Sequence, residues 1–456
     1  MLRILGLLLL LAGLALAQEA EDDSGIEVDS GPTGPEEPAS DPAKGPQKER
    51  TTAFPAREPG KKVETVEIKR KNYSFTVPAD WVLHDEEKAD VELSFELLLP
   101  GSSKHGSLQL RRRENAADPR SLPYYQAEWF RKEKPDYKVE VLAKPCPRVV
   151  LRNESGGTEW VNAHFGLSVR NNVFTLEIWC AAADFPQAET DLIATVRSFK
   201  AEVEIWPPIP KGYETSEEGI WLVARAPEAT ASIAPLVRAL KEAEKRFRRE
   251  HGPLPKGDAP LVVLVHASKA QGAKLDPAVG ESKIDFHSDA WARRLFAIPF
   301  VKDDVAQESM LAGEATDLLF VAKYGDWKPR WISLGENILA AAEVRTGKPL
   351  PNLDEGYLNW YAAIRFHKIS DFDALRDGDP DAWTHESFFY VAALREGKYR
   401  KQYKAFLEDF AETGDGQGAY ERQLAQIDPD ELIAATNRYV TTRIKEEKRK
   451  HEHDPK

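Results

Sequence analysis

The chain predicts a mixed α+β fold in two parts, an antiparallel-sheet domain followed by a mainly helical domain with a small sheet. Three observations carry this. Apolar residues alternate in strand fashion up to about residue 205, and they recur at helical spacing after residue 212. Between them, Trp206-Pro-Pro-Ile-Pro-Lys-Gly212 places three prolines in four residues, which neither element can continue, so 206–211 is read as the junction. A hydrophobic fraction of 42% is enough for sizeable cores. Only 2 Cys exclude a disulfide-dense scaffold and a Cys-ligated metal centre. A net charge of −13 argues against a nucleic-acid partner, because phosphate binding needs a basic face.

The N-terminus reads as a targeting signal. Met1–Arg3 supplies a positive start, Ile4 to Leu16 an apolar run, and Ala15-Leu16-Ala17 a small-x-small cleavage site before Gln18. The run is shorter than the roughly 20 residues that cross a bilayer, so residues 1–17 are expected to be removed, leaving no stable membrane insertion. Residues 18–61 are expected to form a disordered leader: Gln18–Ala43 holds nine carboxylates and no Lys or Arg among Gly, Pro and Ser, and a basic stretch follows. An exported protein, periplasmic or secreted, is the expectation. The stretch 443–456 reads as a charged tail, the solvated end of the last helix.

The first domain is placed at 62–205. Leu93, Phe95 and Leu97 alternate, and Leu108 and Leu110 follow a turn. A hairpin turning at Asn171-Asn172 pairs Val169 with Phe174, Leu167 with Leu176, Phe165 with Ile178 and Ala163 with Cys180, all apolar. One helix begins near Ser121, and another carries Phe185, Ala188, Leu192, Val196 and Phe199. Whether Cys146 and Cys180 join is left open, since Cys180 lies on the apolar face. The stretch Asn72-Tyr-Ser-Phe-Thr-Val-Pro-Ala-Asp-Trp81, with the later meander, the Phe174–Cys180 strand and the closing helix ending Arg197-Ser-Phe199, resembles the PsbP-like fold. That resemblance implies a binding or assembly module without chemistry of its own.

The second domain is placed at 212–442. Ser232 to Glu250 is amphipathic, with Gly252 at its end, and Pro260-Leu-Val-Val-Leu-Val265 is a buried strand. Further helices are predicted over 305–324, 333–346, 355–368, 381–396, 398–412 and 428–442, with Asp428-Pro429 opening the last. Leu311-Ala-Gly313-Glu314-Ala315-Thr316-Asp317, followed by Pro329-Arg-Trp331-Ile332-Ser333-Leu334-Gly335, resembles the frame of the gluzincin metallopeptidases, the thermolysin-like clan. There, His-Glu-x-x-His on one helix and a Glu on the next hold zinc, while the first Glu acts as base. The resemblance places Glu314 at the base and puts Gly313, Asp317 and Leu334 at the three ligand positions, so no zinc and no other cofactor is expected.

Glu336 lies two residues past the third ligand position, about 200° around a helix. It is read instead as the partner of Ser333 in a capping box. His287 and His385-Glu386 have no spacing that joins them to Glu314. The expected function is therefore an exported, non-catalytic binding or scaffold protein with a pseudo-peptidase domain. Its partner is expected to be an extracytoplasmic protein or peptide. An active zinc metallopeptidase with atypical ligands is the alternative.

Overall fold

The computed structural model of the chain describes residues 64–70, 72–84, 93–97, 106–113, 118–202, 204–205, 208–255, 260–281, 286–289, 293–298, 305–326, 329–346 and 380–453. The expected signal segment, the leader and the predicted 355–368 helix lie outside them. The architecture is the mixed α+β one expected from the sequence, with antiparallel sheets first and mostly helices after.

The first part runs β1 (Thr65–Lys69), β2 (Tyr73–Pro78), β3 (Val82–His84), β4 (Leu93–Leu97), β5 (Gly106–Arg113) and α1 (Leu122–Glu133). It continues with β6 (Lys138–Leu142), β7 (Arg148–Ser155), β8 (Thr158–Val169), β9 (Asn172–Ala181), α2 (Phe185–Ser198) and β10 (Lys200–Ala201). Seven strands form one sheet in the order β3-β4-β5-β9-β8-β7-β6, and β1-β2-β10 form another. The inner face buries Leu108, Leu110, Ala163, Phe165, Phe174, Leu176 and Ile178 against α2, whose Phe185, Ala188 and Leu192 are buried. Each such large side chain contributes about 1.5–3 kcal/mol. The opposite face is covered by α1, where Ala127, Val149 and Leu151 make a small separate core.

The β8–β9 hairpin differs from its expected register by two residues. Val169 pairs with Asn172, Leu167 with Phe174, Phe165 with Leu176 and Ala163 with Ile178. The turn residues are Arg170 and Asn171, both at positive φ (50° and 63°), while Asn172 is already in the strand. Moving the turn centre by one residue shifts every pair by two, and a shift of two preserves the faces. The apolar face was thus predictable, and the pairing was not. Cys146 and Cys180 are both buried free thiols, and burial pushes Cys180 up to about 12.

The second part begins with β11 (Glu214–Glu218), β12 (Trp221–Arg225), α3 (Ala234–His251), β13 (Leu261–Val265), α4 (Lys269–Gly272), α5 (Pro277–Glu281), β14 (Phe286–Asp289) and β15 (Arg294–Ala297). These strands form a five-stranded sheet in the order β11-β12-β13-β15-β14. The three central strands are parallel and the two outer pairings antiparallel. Helices follow: α6 (Val305–Tyr324), α7 (Arg330–Thr346), α8 (Pro380–Glu396), α9 (Arg400–Thr413), α10 (Gly416–Gln423) and α11 (Pro429–His453).

In α3, Leu236, Leu240, Ala243 and Phe247 form the buried stripe that the periodicity indicated, and Gly252 ends the helix at φ 79°. Asp428 caps α11, its Oδ1 accepting from the amides of Asp430 (2.8 Å) and Glu431 (3.1 Å). That helix runs on to His453, taking in the charged stretch after Arg443 that the sequence offers as its solvated end. Among the described residues, no helix is long and apolar enough to cross a membrane.

Helix α6 is buried on every side from Leu311 to Val321. A helix enclosed all round is a central element rather than a surface one. It packs on α3, α7 and the edge strand β14, so everything it carries is set by close helix–helix and helix–sheet contacts.

Candidate functional site

Glu314 sits midway along α6 and is 5% exposed. Its Oε2 accepts a hydrogen bond from the backbone amide of Ser288 on β14, at 2.7 Å. Since β14 is the outer strand of the five-stranded sheet among the described residues, the carboxylate occupies one of that strand's outward amide donors. Burial raises the Glu314 pKa most strongly. The Ser288 bond opposes this, the nearby Asp317 charge adds to it, and the result is about 7. Asp317 and His287 are also buried, at 7% and 4% exposure. Burial lowers the His287 pKa, with Asp276, Asp289 and Asp317 partly opposing that effect.

A buried carboxyl with a raised pKa destabilises the folded state once ionised. Its ordinary pKa is 4.5, so the cost is absent below about pH 4.5, grows as pH rises, and is complete above about 7. Glu314→Gln keeps an oxygen for the Ser288 amide and removes the charge. It is expected to raise stability at pH 8 by at most about 3 kcal/mol, and to change it little at pH 4.5. Urea midpoints at the two pH values measure this. A gain that is the same at both would show that ionisation of Glu314 is not its source.

The structure brings Glu314, Asp317 and His287 into electrostatic range, but it does not build a metal site from the positions singled out in the sequence. Gly313 faces α7, where Asn337 lies against it. A Cβ at 313 would fall 3.3 Å from Asn337 Cγ and inside contact distance of its Oδ1. That Oδ1 is buried with no hydrogen-bond partner among the described residues, and the Gly313 Cα–H is its neighbour. Leu334 is buried at 6% exposure within the apolar core. Among the described residues, no group of three His, Cys, Asp or Glu side chains is arranged to hold a metal ion. A catalytic zinc needs three donors and an open position for water. Gly313 and Leu334 donate nothing, and Asn337 fills the space beside Gly313. The positions singled out in the sequence therefore supply no set of three donors.

One expectation is corrected here. Glu336 does not cap a helix with Ser333. Helix α7 begins at Arg330, and the Ser333 amide already donates to the Pro329 carbonyl at 3.3 Å, so both residues lie past the helix start. The Glu336 carboxylate instead anchors a buried polar network. Oε1 accepts from the Tyr403 hydroxyl (2.6 Å), and Oε2 accepts from Arg395 Nη1 (3.0 Å) and lies 3.5 Å from His251 Nε2.

Arg395 also pairs with Glu250 at 2.9 Å, and His251 Nδ1 lies 3.0 Å from the Tyr324 hydroxyl. Burial would raise the Glu336 pKa, but Arg395, His251 and Tyr403 outweigh it and hold it at about 2. A cavity of about 20 Å³ beside this network is lined by Arg246, His251, Thr316, Glu336 and Arg395, and it has room for roughly one water. The network ties α3, α7, α8 and α9 together. Its only sequence signal was a Glu in a helix interior among apolar residues.

His385 lies in α8, its side chain outside the described residues; Glu386 is buried at 1% exposure.

A second polar cluster, with no sequence signal at all, joins the two parts of the chain. Arg120, just before α1, donates through Nη1 to the carbonyl of Lys323 (2.9 Å) and through Nη2 to those of Val321 (3.1 Å) and Ala322 (3.4 Å). These carbonyls lie at the C-terminus of α6, where a cation is favoured; that of Val321 also accepts from the Gly325 amide at 2.9 Å. The first part of the chain thereby completes the helix that carries Glu314.

No family model matches the chain, and no curated protein matches it. Solved structures that share part of its fold include LpqN of Mycobacterium tuberculosis, described as involved in cell envelope biogenesis. That protein is 11% identical over 30% of this chain and 91% of that chain, with a TM-score of 0.23. A cyanobacterial PsbP from Synechocystis is 12% identical over 32% and 97%, with a TM-score of 0.23. An M1 zinc metallopeptidase from Deinococcus radiodurans is 11% identical over 83% and 86%, with a TM-score of 0.32. At such scores the likenesses carry no argument about site or activity.

Proposed function

We propose that the chain is an exported, non-catalytic binding or scaffold protein whose second domain keeps a peptidase-like helical frame without its chemistry. The observation that carries this reading is the contact between Gly313 and Asn337, which fills the place where a metal ligand's side chain would stand. Two further features support it. Glu314 is engaged by the Ser288 amide, and Leu334 offers an aliphatic chain to an apolar core. A carboxylate base without a metal faces a water of ordinary pKa, so Glu314 alone gains little hydrolytic power. The proposed partner is an extracytoplasmic protein or peptide, and residues 1–17 are proposed to direct export.

Metal analysis of the purified full chain, with peptide-hydrolysis assays before and after chelation, tests the proposal. The expected result is well below one equivalent of zinc and no chelator-sensitive cleavage. Near-stoichiometric zinc together with chelator-sensitive cleavage would establish the atypical-ligand enzyme instead.

A further inference from the structure

The contact between the two domains contains two buried carboxylates. Asp118, ahead of α1, and Asp326, just past α6, are 4% and 7% exposed, and the Asp118 amide donates to Asp326 Oδ2 at 2.9 Å. Their surroundings are unequal. Asp118 Oδ1 accepts from the Arg120 amide and from Arg120 Nε, both at 2.9 Å. Its Oδ2 accepts from Arg120 Nη2 (3.0 Å) and from Arg293.

Both guanidiniums that reach the joint hydrogen-bond Asp118, and Arg120 also the α6 carbonyls; the Arg120 charge acts on Asp326 as well, but without a hydrogen bond to it. Asp326 Oδ2 has the Asp118 amide, and the Asp326 amide donates to the Ser121 hydroxyl, while Asp326 Oδ1 is buried with no hydrogen-bond partner among the described residues. Tyr125 donates to the Asp326 backbone carbonyl (3.2 Å) rather than to its carboxylate. Lys323, on α6, sends its Nζ to the carbonyls of His251 and Pro253. Around this core, Ser121 donates to the Gly414 carbonyl and Tyr124 to that of Thr413.

We propose that the Asp118–Asp326 pair is a proton-held joint between the two domains, closed while Asp326 carries a proton and loosened when it ionises. A buried carboxyl oxygen without a donor is tolerable on a neutral acid and costly on a carboxylate. A second negative charge beside Asp118 adds repulsion. The joint clamps the C-terminus of α6, so loosening it frees the end of the helix that carries Glu314.

The direction follows from linkage. In the closed joint, burial and the Asp118 charge raise the Asp326 pKa to about 6, while in water its ordinary value is 3.8. The closed form therefore holds the proton more tightly. The stabilisation is complete below about pH 4 and is lost as pH rises to about 6. Asp118 works in the opposite sense. Despite burial, Arg120 and Arg293 hold it at about 2, so its contribution is present above about pH 4 and fails only in stronger acid. The joint is tightest near pH 4.

Hydrogen exchange of the full chain, corrected for intrinsic rates, tests this at the amides of 118–125 and 321–326. The expected result is an opening equilibrium that rises by up to about 100-fold between pH 4 and pH 7. Core amides of β9 should not follow it. Asp326→Asn should abolish the rise, and Asp326→Ser serves as a second uncharged replacement should the first fold poorly. A wild type with no rise, or either variant retaining it, would overturn the proposal.

Discussion

Replacing Glu336 by leucine is expected to cost about 3–5 kcal/mol, the range found when one member of a buried ion network is removed. The argument rests on what is left behind. Arg395 keeps Glu250 but loses its deeply buried partner, and the Tyr403 hydroxyl, itself enclosed, loses its acceptor. An unsatisfied buried group costs its full desolvation, which exceeds the net value of the bond it once made. If that mechanism is right, Glu336→Leu combined with Arg395→Met should be less destabilising than Glu336→Leu alone, because the orphaned charge is gone. Denaturant unfolding of the four proteins of the cycle measures it. A single-variant cost below about 0.5 kcal/mol, or a double variant worse than the sum, would remove the network from the account of stability.

The same carboxylate sets an acid limit. Its pKa is depressed from 4.5 to about 2, so its contribution is present above about pH 4.5 and lost as pH falls through about 2. Glu314 has the opposite sign, and its cost appears only as pH rises. Two buried glutamates on adjacent helices thus respond in opposite directions because, among the described residues, one has a guanidinium and the other a backbone amide.

Periodicity made the major helices legible. The stripe of α3 follows from residue spacing, and α6 spans the expected 305–324 although it is buried all round and carries no single apolar stripe. The β8–β9 hairpin shows where that legibility stops. Alternation determines which residues face inward, whereas the pairing depends on which of three consecutive residues, Arg170, Asn171 and Asn172, takes positive φ. Strand β11, Glu214-Thr-Ser-Glu-Glu218, has no apolar residue and owes its place to pairing with β12. The candidate site was half legible. Glu314 stood out through its frame, but the role of Glu336 depends on Arg395 and Tyr403 reaching it from two other helices. The Asp118–Asp326 joint spans 208 residues and has no local pattern.

The last prediction concerns two glycines on the faces between α6, α7 and α8. Gly335→Ala is expected to cost about 3 kcal/mol, near the top of the range for overpacking a filled core. A Cβ there would lie 2.6 Å from the Ser387 carbonyl oxygen and 2.5 Å from Val391 Cγ2. The carbonyl belongs to the α8 backbone and cannot swing aside, so α7 and α8 must separate. Gly313→Ala should cost less, about 1–2 kcal/mol. Its obstacle is the Asn337 side chain, which can rotate, and alanine returns about 1 kcal/mol of helix propensity. Gly313→His, which a zinc site in this frame would require, has no such relief and should exceed both. Thermal unfolding of the three variants gives the ranking. If Gly313→His were as stable as the wild type, space for a ligand would exist beside Asn337, and the packing argument against a metal there would fail.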